Sequence, residues 1–156
     1  MNPFCKYALH QIEVAVTTII KIIDKLEDQD LQKRPTAGKH SIGELLEHIA
    51  MICHADLLIS EGSTQEEMNQ FYSSMSLKNL HVIKEALIEN YDIMAIRVSQ
   101  YDESELLQEV TSYWGTAYTR YEWLLEIIAH LYHHRGQLHS MLVHCYGKDP
   151  GVMMFE

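Results

Sequence analysis

Histidine is the residue type that stands out in this chain, with ten among 156 residues and five of them between residues 130 and 144. His130 and His134 are four apart. On an α-helix they would lie one turn above the other, close enough for both imidazoles to bind one metal ion. The spacing therefore indicates a metal site. The alternative is a pair of core histidines whose ring nitrogens bond to tyrosine, glutamate or water.

The two histidines face the predicted core. On a helical wheel of about 100° per residue, both histidines fall within about 60° of Trp123, as do Ile127 and Leu138. Buried imidazoles need partners for their ring nitrogens, and a metal ion supplies one without leaving a positive charge in apolar surroundings. This placement favours a role as ligands.

A third ligand has to come from another helix, because a catalytic zinc uses three protein ligands and keeps a fourth position open. In the segment ELLEHIAMICH, His48 lies one turn from Leu45 and from Ile52, at the edge of an apolar stripe. His54 falls on a different side of the same helix. The sequence therefore predicts His48 as the third ligand, the alternative being a partly buried polar residue.

Two glutamates could assist such a site. Glu44 precedes His48 by four residues, and Glu126 precedes His130 by four. Either carboxylate could accept the outer N–H of a ligand histidine or act as a general base, and either could be a solvated helix glutamate. We take Glu44 as the candidate catalytic residue.

Other chemistries fit the spacing less well. A di-iron carboxylate bundle needs Glu-x-x-His on two helices, whereas this chain has Glu-x-x-x-His twice. A zinc protease needs His-Glu-x-x-His, and here Leu131 follows His130. We assign Cys53 and Cys145 to packing, because a cysteine nucleophile needs an exposed, electropositive setting.

Composition and charge limit the partners. The formal net charge is -10, and no block of five basic residues occurs, which opposes binding to nucleic acid or to anionic lipid. The apolar runs are short, the N-terminus lacks a basic-then-apolar signal, and three scattered cysteines are typical of reduced thiols. We predict a cytoplasmic protein with a single domain over residues 1–156.

The elements that must position these residues are helices. Apolar residues at steps of three and four predict four of them, at about residues 4–28, from the capping box Ser41-Ile-Gly-Glu44 onward, at about 77–100 and at about 116–146. We expect the fourth helix to be the most buried of the four and to end at Gly147. We interpret the segment LLQEVTSYW before it as a linker. Four long helices in one small chain predict an all-α four-helix bundle.

A second stripe runs along the fourth helix, roughly opposite the histidines. It consists of Leu125, Ala129, Tyr132, Gly136 and Val143. A glycine inside a helix costs about 1 kcal/mol unless something packs against it. The stripe therefore predicts a close helix neighbour, either from the same bundle or from a second subunit in a two-fold dimer.

Three segments resemble the DinB/YfiT-like superfamily. AHLYHHRGQLHSMLVHCYGKDPG resembles its last helix, with His-x-x-x-His, then Gly-Gln-Leu, then a Gly-Pro turn. SIGELLEHIA resembles the segment that carries the first ligand, and LEDQDLQKRPTAGKHS the linker before it. The chain departs from the family pattern in Glu47 before His48 and in the polar segment SEGSTQEEMNQFYSSMS at the expected pocket rim.

The resemblance implies a four-helix bundle, frequent dimers and a site for zinc or nickel with ligands at His48, His130 and His134. Relatives of this kind include thiol S-transferases and isomerases that depend on low-molecular-weight bacterial thiols such as bacillithiol or mycothiol. We therefore expect a homodimeric metal-dependent enzyme, a thiol S-transferase or a hydrolase, whose open metal position takes water or a thiol. The rival interpretation is a helical bundle that binds metal or a partner without catalysis.

Overall fold

The computed structural model describes all 156 residues, most of them helical. In chain order the elements are α1 (Pro3–Ile23), a 3-10 helix (Asp28–Gln32), α2 (Ile42–Ser60), α3 (Gln65–Ser73), α4 (Leu80–Ser99), α5 (Glu103–Leu107), β1 (Glu109–Thr111), β2 (Ala117–Thr119), α6 (Arg120–Ser140) and a π-helical turn (Met141–Cys145). None of the helices is both long and apolar enough to cross a membrane.

Four long helices form the bundle, as the sequence predicts. Both α1 and α2 pack against α4 and α6, so α1 and α2 lie diagonally opposite each other. One apolar cluster joins all four, and Ile12, Leu45, Leu87 and Leu131 are among its fully buried members. The all-α four-helix bundle is confirmed.

The most buried helix is α2, not α6, so that expectation is wrong. In α2, 12 of 19 residues are buried, against 6 of 21 in α6. The reason is position, because α2 packs against α3 and the 3-10 helix as well as against α4 and α6. The predicted start of α2 is confirmed: Ser41 Oγ accepts from the Glu44 amide, and the Glu44 carboxylate accepts from the Ser41 amide.

Two short elements differ from the sequence interpretation. The segment LLQEVTSYW is not only a linker, since Glu109–Thr111 pairs antiparallel with Ala117–Thr119 in a small hairpin. Strands of three residues are too short to show a clear alternation. The polar segment after α2 contains α3, whose one buried residue is Met68. The hairpin also shortens the predicted fourth helix, which begins at Arg120.

The predicted first helix is shorter as well. It ends at Ile23, and Asp30 of the following 3-10 helix is buried. The Asp30 carboxylate accepts from the Glu27 amide at 2.8 Å and from the ammonium groups of Lys33 and Lys148 at 2.6 Å each. Because Lys148 follows α6, this buried carboxylate ties the segment after α1 to the end of the chain.

Gly136 is exposed, which excludes one of the two predicted kinds of neighbour, and Cys145 is exposed, contrary to its assignment to packing. A Cβ placed on Gly136 would meet no heavy atom within 4 Å, so no helix of the same bundle packs against it. A neighbour from a second subunit stays a prediction. Cys53 is fully buried, consistent with packing, whereas Cys145 lies exposed at the end of the π-helical turn.

Candidate metal centre

One candidate ligand comes from the middle of α2. The Ser41–Glu44 capping box sets where the helix begins, and Leu45, Ile49 and Ile52 anchor it in the core. With those positions fixed, His48 lies half-buried on the side that faces α6. Asp56, eight residues after His48, is also partly buried.

The other two histidines come from α6, one turn apart. Thr119 caps the start of this helix by accepting from the Glu122 amide, and Ile127, Leu131 and Leu138 fix its rotation by packing into the core. These anchors leave His130 and His134 partly buried and directed toward α2.

The three imidazoles converge through the same ring atom. His48 Nε2 lies 3.1 Å from His130 Nε2 and 3.1 Å from His134 Nε2. One nitrogen from each of the three residues lies within 4.8 Å of the others. The structure thus brings together the three histidines that the sequence singles out, although 82 positions separate His48 from His130.

Outer hydrogen bonds set the orientation of two rings. His130 Nδ1 lies 2.7 Å from Asp56 Oδ2, and His134 Nδ1 lies 2.9 Å from Gln137 Oε1. Both oxygens are acceptors, so each Nδ1 carries the proton. In neutral rings the lone pairs are then on Nε2 and point toward the common centre.

Burial keeps two of the rings neutral. It lowers the pKa of His48 to about 4, with a smaller contribution from His134 and His130. Burial also lowers the pKa of His134. The hydrogen bond to Asp56 raises the pKa of His130, against the effect of burial. A neutral imidazole is the form that binds a metal.

The donor set fits a divalent transition-metal ion. Nitrogens bound to one zinc at about 2.0–2.1 Å in tetrahedral geometry lie about 3.3–3.4 Å apart, close to the 3.1 Å separations here. Imidazole suits zinc, copper, iron and nickel, and a second set of hydrogen bonds behind the ligands is the usual support for such a site. Three ligands would leave a coordination position open.

The other sequence candidates make no hydrogen bond to the three rings. The Glu44 carboxylate bonds to the Arg34 guanidinium at 2.7 and 2.8 Å, which, with the Ser41 amide, lowers its pKa to about 2. His54 Nδ1 lies 3.2 Å from Asn90 Oδ1, outside the cluster. Glu126 is not a hydrogen-bond partner of any of the three rings. Burial and the nearby Asp56 carboxylate raise its pKa.

Asp56 is the residue that the sequence interpretation missed. It is the acceptor that the glutamates were expected to provide, and it comes from α2 rather than from one turn before a ligand. Helical periodicity carried a signal, because a residue eight positions after His48 lies on nearly the same face. That it meets His130 follows only from how α2 packs on α6.

Two cavities of about 300 Å³ each flank the histidines. The cavity beside His130, here called the aromatic pocket, is lined by Asp56, Ile59, Tyr72, Tyr113, Trp114, Trp123, Glu126 and His130. The cavity beside His48, here called the methionine pocket, is lined by His40, Glu44, Glu47, His48, Met51, Tyr72, Met75 and Leu77. Tyr72 of α3 lines both, so α3 contributes to the rim of the site.

Fold and site together define a class: a small four-helix bundle with three histidines converging from two of its helices. A family model described as the DinB family matches residues 1–154, and the chain belongs to this family. The resemblance seen in the sequence is thereby confirmed.

Solved structures agree with this assignment. A DinB-family protein from Exiguobacterium sibiricum 255-15 is 32% identical with a TM-score of 0.86, and 99% of each chain is covered. A DinB-like protein from Bacillus cereus ATCC 10987 is 20% identical with a TM-score of 0.71, covering 94% of this chain and 95% of the other. Among curated proteins, none matches the chain in sequence.

A more distant structure, the mycothiol-dependent maleylpyruvate isomerase, shares the fold. It is 13% identical with a TM-score of 0.63, covering 88% of this chain and 63% of the isomerase.

Proposed function

We propose that this protein is a metal-dependent enzyme in which His48, His130 and His134 hold a zinc or nickel ion. The observation that carries the proposal is the convergence of three Nε2 atoms, two of them on rings whose outer nitrogens are already hydrogen-bonded. A divalent ion with an open position lowers the pKa of the water or thiol that binds there and supplies a nucleophile near neutral pH.

The residues of the chain have defined parts in this scheme. Asp56 holds the Nδ1 proton of His130, and Gln137 holds that of His134, which keeps both rings directed at the ion. The aromatic and methionine pockets lie on either side of the cluster, which suits a small electrophile in one and a thiol in the other.

A low-molecular-weight thiol is the proposed co-substrate, and thiol S-transfer the proposed reaction, with hydrolysis as the other outcome of the same site. The dependence on mycothiol named for the distant isomerase supports the choice of a thiol. Glu44 stays a predicted catalytic residue. A carboxylate whose pKa is about 2 is a weak base at neutral pH, so we expect its contribution to be small.

The test starts from protein purified without a histidine tag, stripped with a chelator and then reloaded with zinc or nickel. We expect about one ion per chain and metal-dependent conjugation of a thiol to an electrophile such as 1-chloro-2,4-dinitrobenzene. His130→Ala should remove both, whereas His144→Ala, an exposed histidine of the same part of the chain, should change neither. Metal binding with neither thiol transfer nor hydrolysis would favour the non-catalytic bundle, and no metal binding would overturn the proposal.

A further inference from the structure

The aromatic pocket is built from rings that stand at right angles to one another. The ring centroids of Trp114 and Trp123 are 6.0 Å apart at an interplanar angle of 88°, and those of Tyr113 and Trp114 are 4.8 Å apart at 88°. Tyr72 contributes a fourth ring from α3. Perpendicular rings form a corner, which can enclose a small group on more than one side.

The charged groups of this pocket are acidic. Asp56 and Glu126 line it, and no lysine or arginine does. Glu126 makes no hydrogen bond or ion pair with any other side chain, so its carboxylate is available to a ligand. The methionine pocket also lacks a lysine or arginine. With a net charge of -10, the molecule as a whole attracts cations.

We propose that the aromatic pocket binds a substituted ammonium group, so that the substrate of this site is a small organic cation whose reacting part lies beside the histidines. The faces of tryptophan and tyrosine attract such cations, and tetraalkylammonium ligands are commonly bound in cages of aromatic rings. A volume of about 300 Å³ suits a small molecule. The claim that the substrate is a cation rests on the proposed function. The claim that the pocket binds an ammonium group does not.

The same lining disfavours other ligand classes. A carboxylate or phosphate group would lie beside Asp56 and Glu126 with no lysine or arginine to pair with it. A purely apolar ligand would use the rings but leave Glu126 without a partner. An ammonium group satisfies both the rings and the carboxylates.

The test compares three probes of similar shape and different charge: choline, 3,3-dimethyl-1-butanol and 3,3-dimethylbutanoate. Both tryptophans of the chain line the pocket, so tryptophan fluorescence reports its occupancy. Titrations are made at constant ionic strength and about pH 8, well above the usual pKa of an imidazole, with metal-free and with zinc-loaded protein. We expect choline to bind tightest and the butanoate weakest.

Two variants locate the binding. Trp114→Leu keeps an apolar side chain but removes a ring, and Glu126→Gln removes a charge; we expect each to weaken choline binding roughly 3- to 30-fold. The matched controls are Tyr7→Leu, an exposed ring on α1, and Glu89→Gln, an exposed carboxylate on α4. Because Trp114→Leu removes one of the two tryptophans that report binding, calorimetry measures choline binding to this variant.

The outcomes separate this inference from the proposed function. If 3,3-dimethyl-1-butanol binds as tightly as choline, or if both pocket variants bind choline like the wild type, the inference is overturned whether or not the protein binds metal. If choline is preferred and weakened as expected but no metal binds, ammonium recognition holds and the metal-dependent enzyme does not.

Discussion

Asp56 is the one charged side chain that bonds to a proposed metal ligand from behind. Its Oδ2 lies 2.7 Å from His130 Nδ1, and the aspartate side chain is only 17% exposed. A charge-assisted hydrogen bond of this kind fixes the tautomer of the ring and makes Nε2 a better donor to a metal. No comparable charged group lies behind His134, which bonds to the neutral amide of Gln137.

We expect Asp56→Asn to weaken metal binding by about 10- to 100-fold, because asparagine can accept the same hydrogen bond but lacks the charge. Competition with a chromophoric chelator measures the affinity. Glu44→Gln is the matched control: Glu44 pairs with Arg34 rather than with a ligand ring, so metal affinity should change much less. Equal effects of the two substitutions would contradict the assignment of Asp56.

The three histidines should differ in what their loss does. Replacing His130 or His134 by alanine should abolish stoichiometric metal, whereas His48→Ala should weaken binding without erasing it, because the pair on α6 can still hold an ion. In each variant the helical signal in far-ultraviolet circular dichroism should persist, since the apolar core does not include the imidazoles.

His54→Ala serves as the control on α2, because this ring lies against Asn90 and Phe71 rather than in the cluster. The assignment of His48 would be wrong if its variant bound metal as tightly as the wild type.

For individual side chains, the sequence predicts what helical spacing controls. His130 and His134 follow from a spacing of four, and His48 from its place beside an apolar stripe. Asp56 does not follow, because its contact with His130 spans 74 positions and depends on how two helices pack. The aromatic pocket is not predictable for the same reason, since its rings come from α3, the hairpin and α6.

Between the helices, Asp30 is a buried carboxylate that links two connecting segments. Burial opposes its ionisation, but the Glu27 amide and the ammonium groups of Lys148 and Lys33 outweigh that effect and hold its pKa below the usual 3.8. A lowered pKa in the folded state means that the unfolded chain binds the proton more readily. The carboxylate therefore stabilises the fold most fully above the unfolded pKa, and this stabilisation is lost as the pH falls below it.

We expect Asp30→Asn to lower the free energy of unfolding at neutral pH by about 1 to 3 kcal/mol, since two lysines lose a buried partner. The variant should also show less loss of stability than the wild type between about pH 5 and pH 2. Urea unfolding across that range measures both effects. Parallel pH profiles for the two proteins would show that Asp30 does not contribute to acid sensitivity.

On α6, Gly136 is an exposed helical position with open space around it. We expect Gly136→Ala to raise the free energy of unfolding by about 0.5 to 1 kcal/mol, because alanine has the higher helix propensity and meets no obstacle. Ala129→Gly, also exposed on α6, should lower it by a similar amount. Denaturant unfolding measures the stability of both variants, and sedimentation follows the predicted dimer. If Gly136→Ala instead destabilises the protein and shifts it toward monomer, a second subunit packs on this face.

Among the helices, periodicity predicts the four long ones because each has an apolar stripe, and the capping box predicts the start of α2. The short elements escape prediction: α3 buries one residue, and each strand of the hairpin has three. The expectation that α6 is the most buried helix failed for another reason. Its sequence is apolar on several sides, but the side that carries Leu125 faces solvent.

For the whole molecule, a metal ion in this site would join α2 to α6 directly. We expect saturating zinc to raise the free energy of unfolding, by about 2.7 kcal/mol at a free concentration of one hundred times Kd, because only the folded chain presents all three ligands together. Thermal unfolding with and without zinc measures the gain, and the His130→Ala protein should show almost none.

Hydrogen exchange adds a spatial check. Amides of α2 and α6 should exchange more slowly with zinc bound, whereas α4, which carries no ligand, should change less. Uniform slowing in all helices, or slowing absent from α2, would contradict a bridge between these two elements.

The distribution of ligands along the chain also sets an order of events during synthesis. The ribosome makes α2, with His48 and Asp56, 74 or more residues before it reaches His130. Until residue 130 is made, the nascent chain therefore contains only one of the three candidate ligands, His48, too few to form the site. An ion bound at the proposed site would be acquired late, by a chain whose bundle is already closing around the site. Under the proposed function, delivery of metal to the finished protein, rather than to a translating one, would determine how much of it is active.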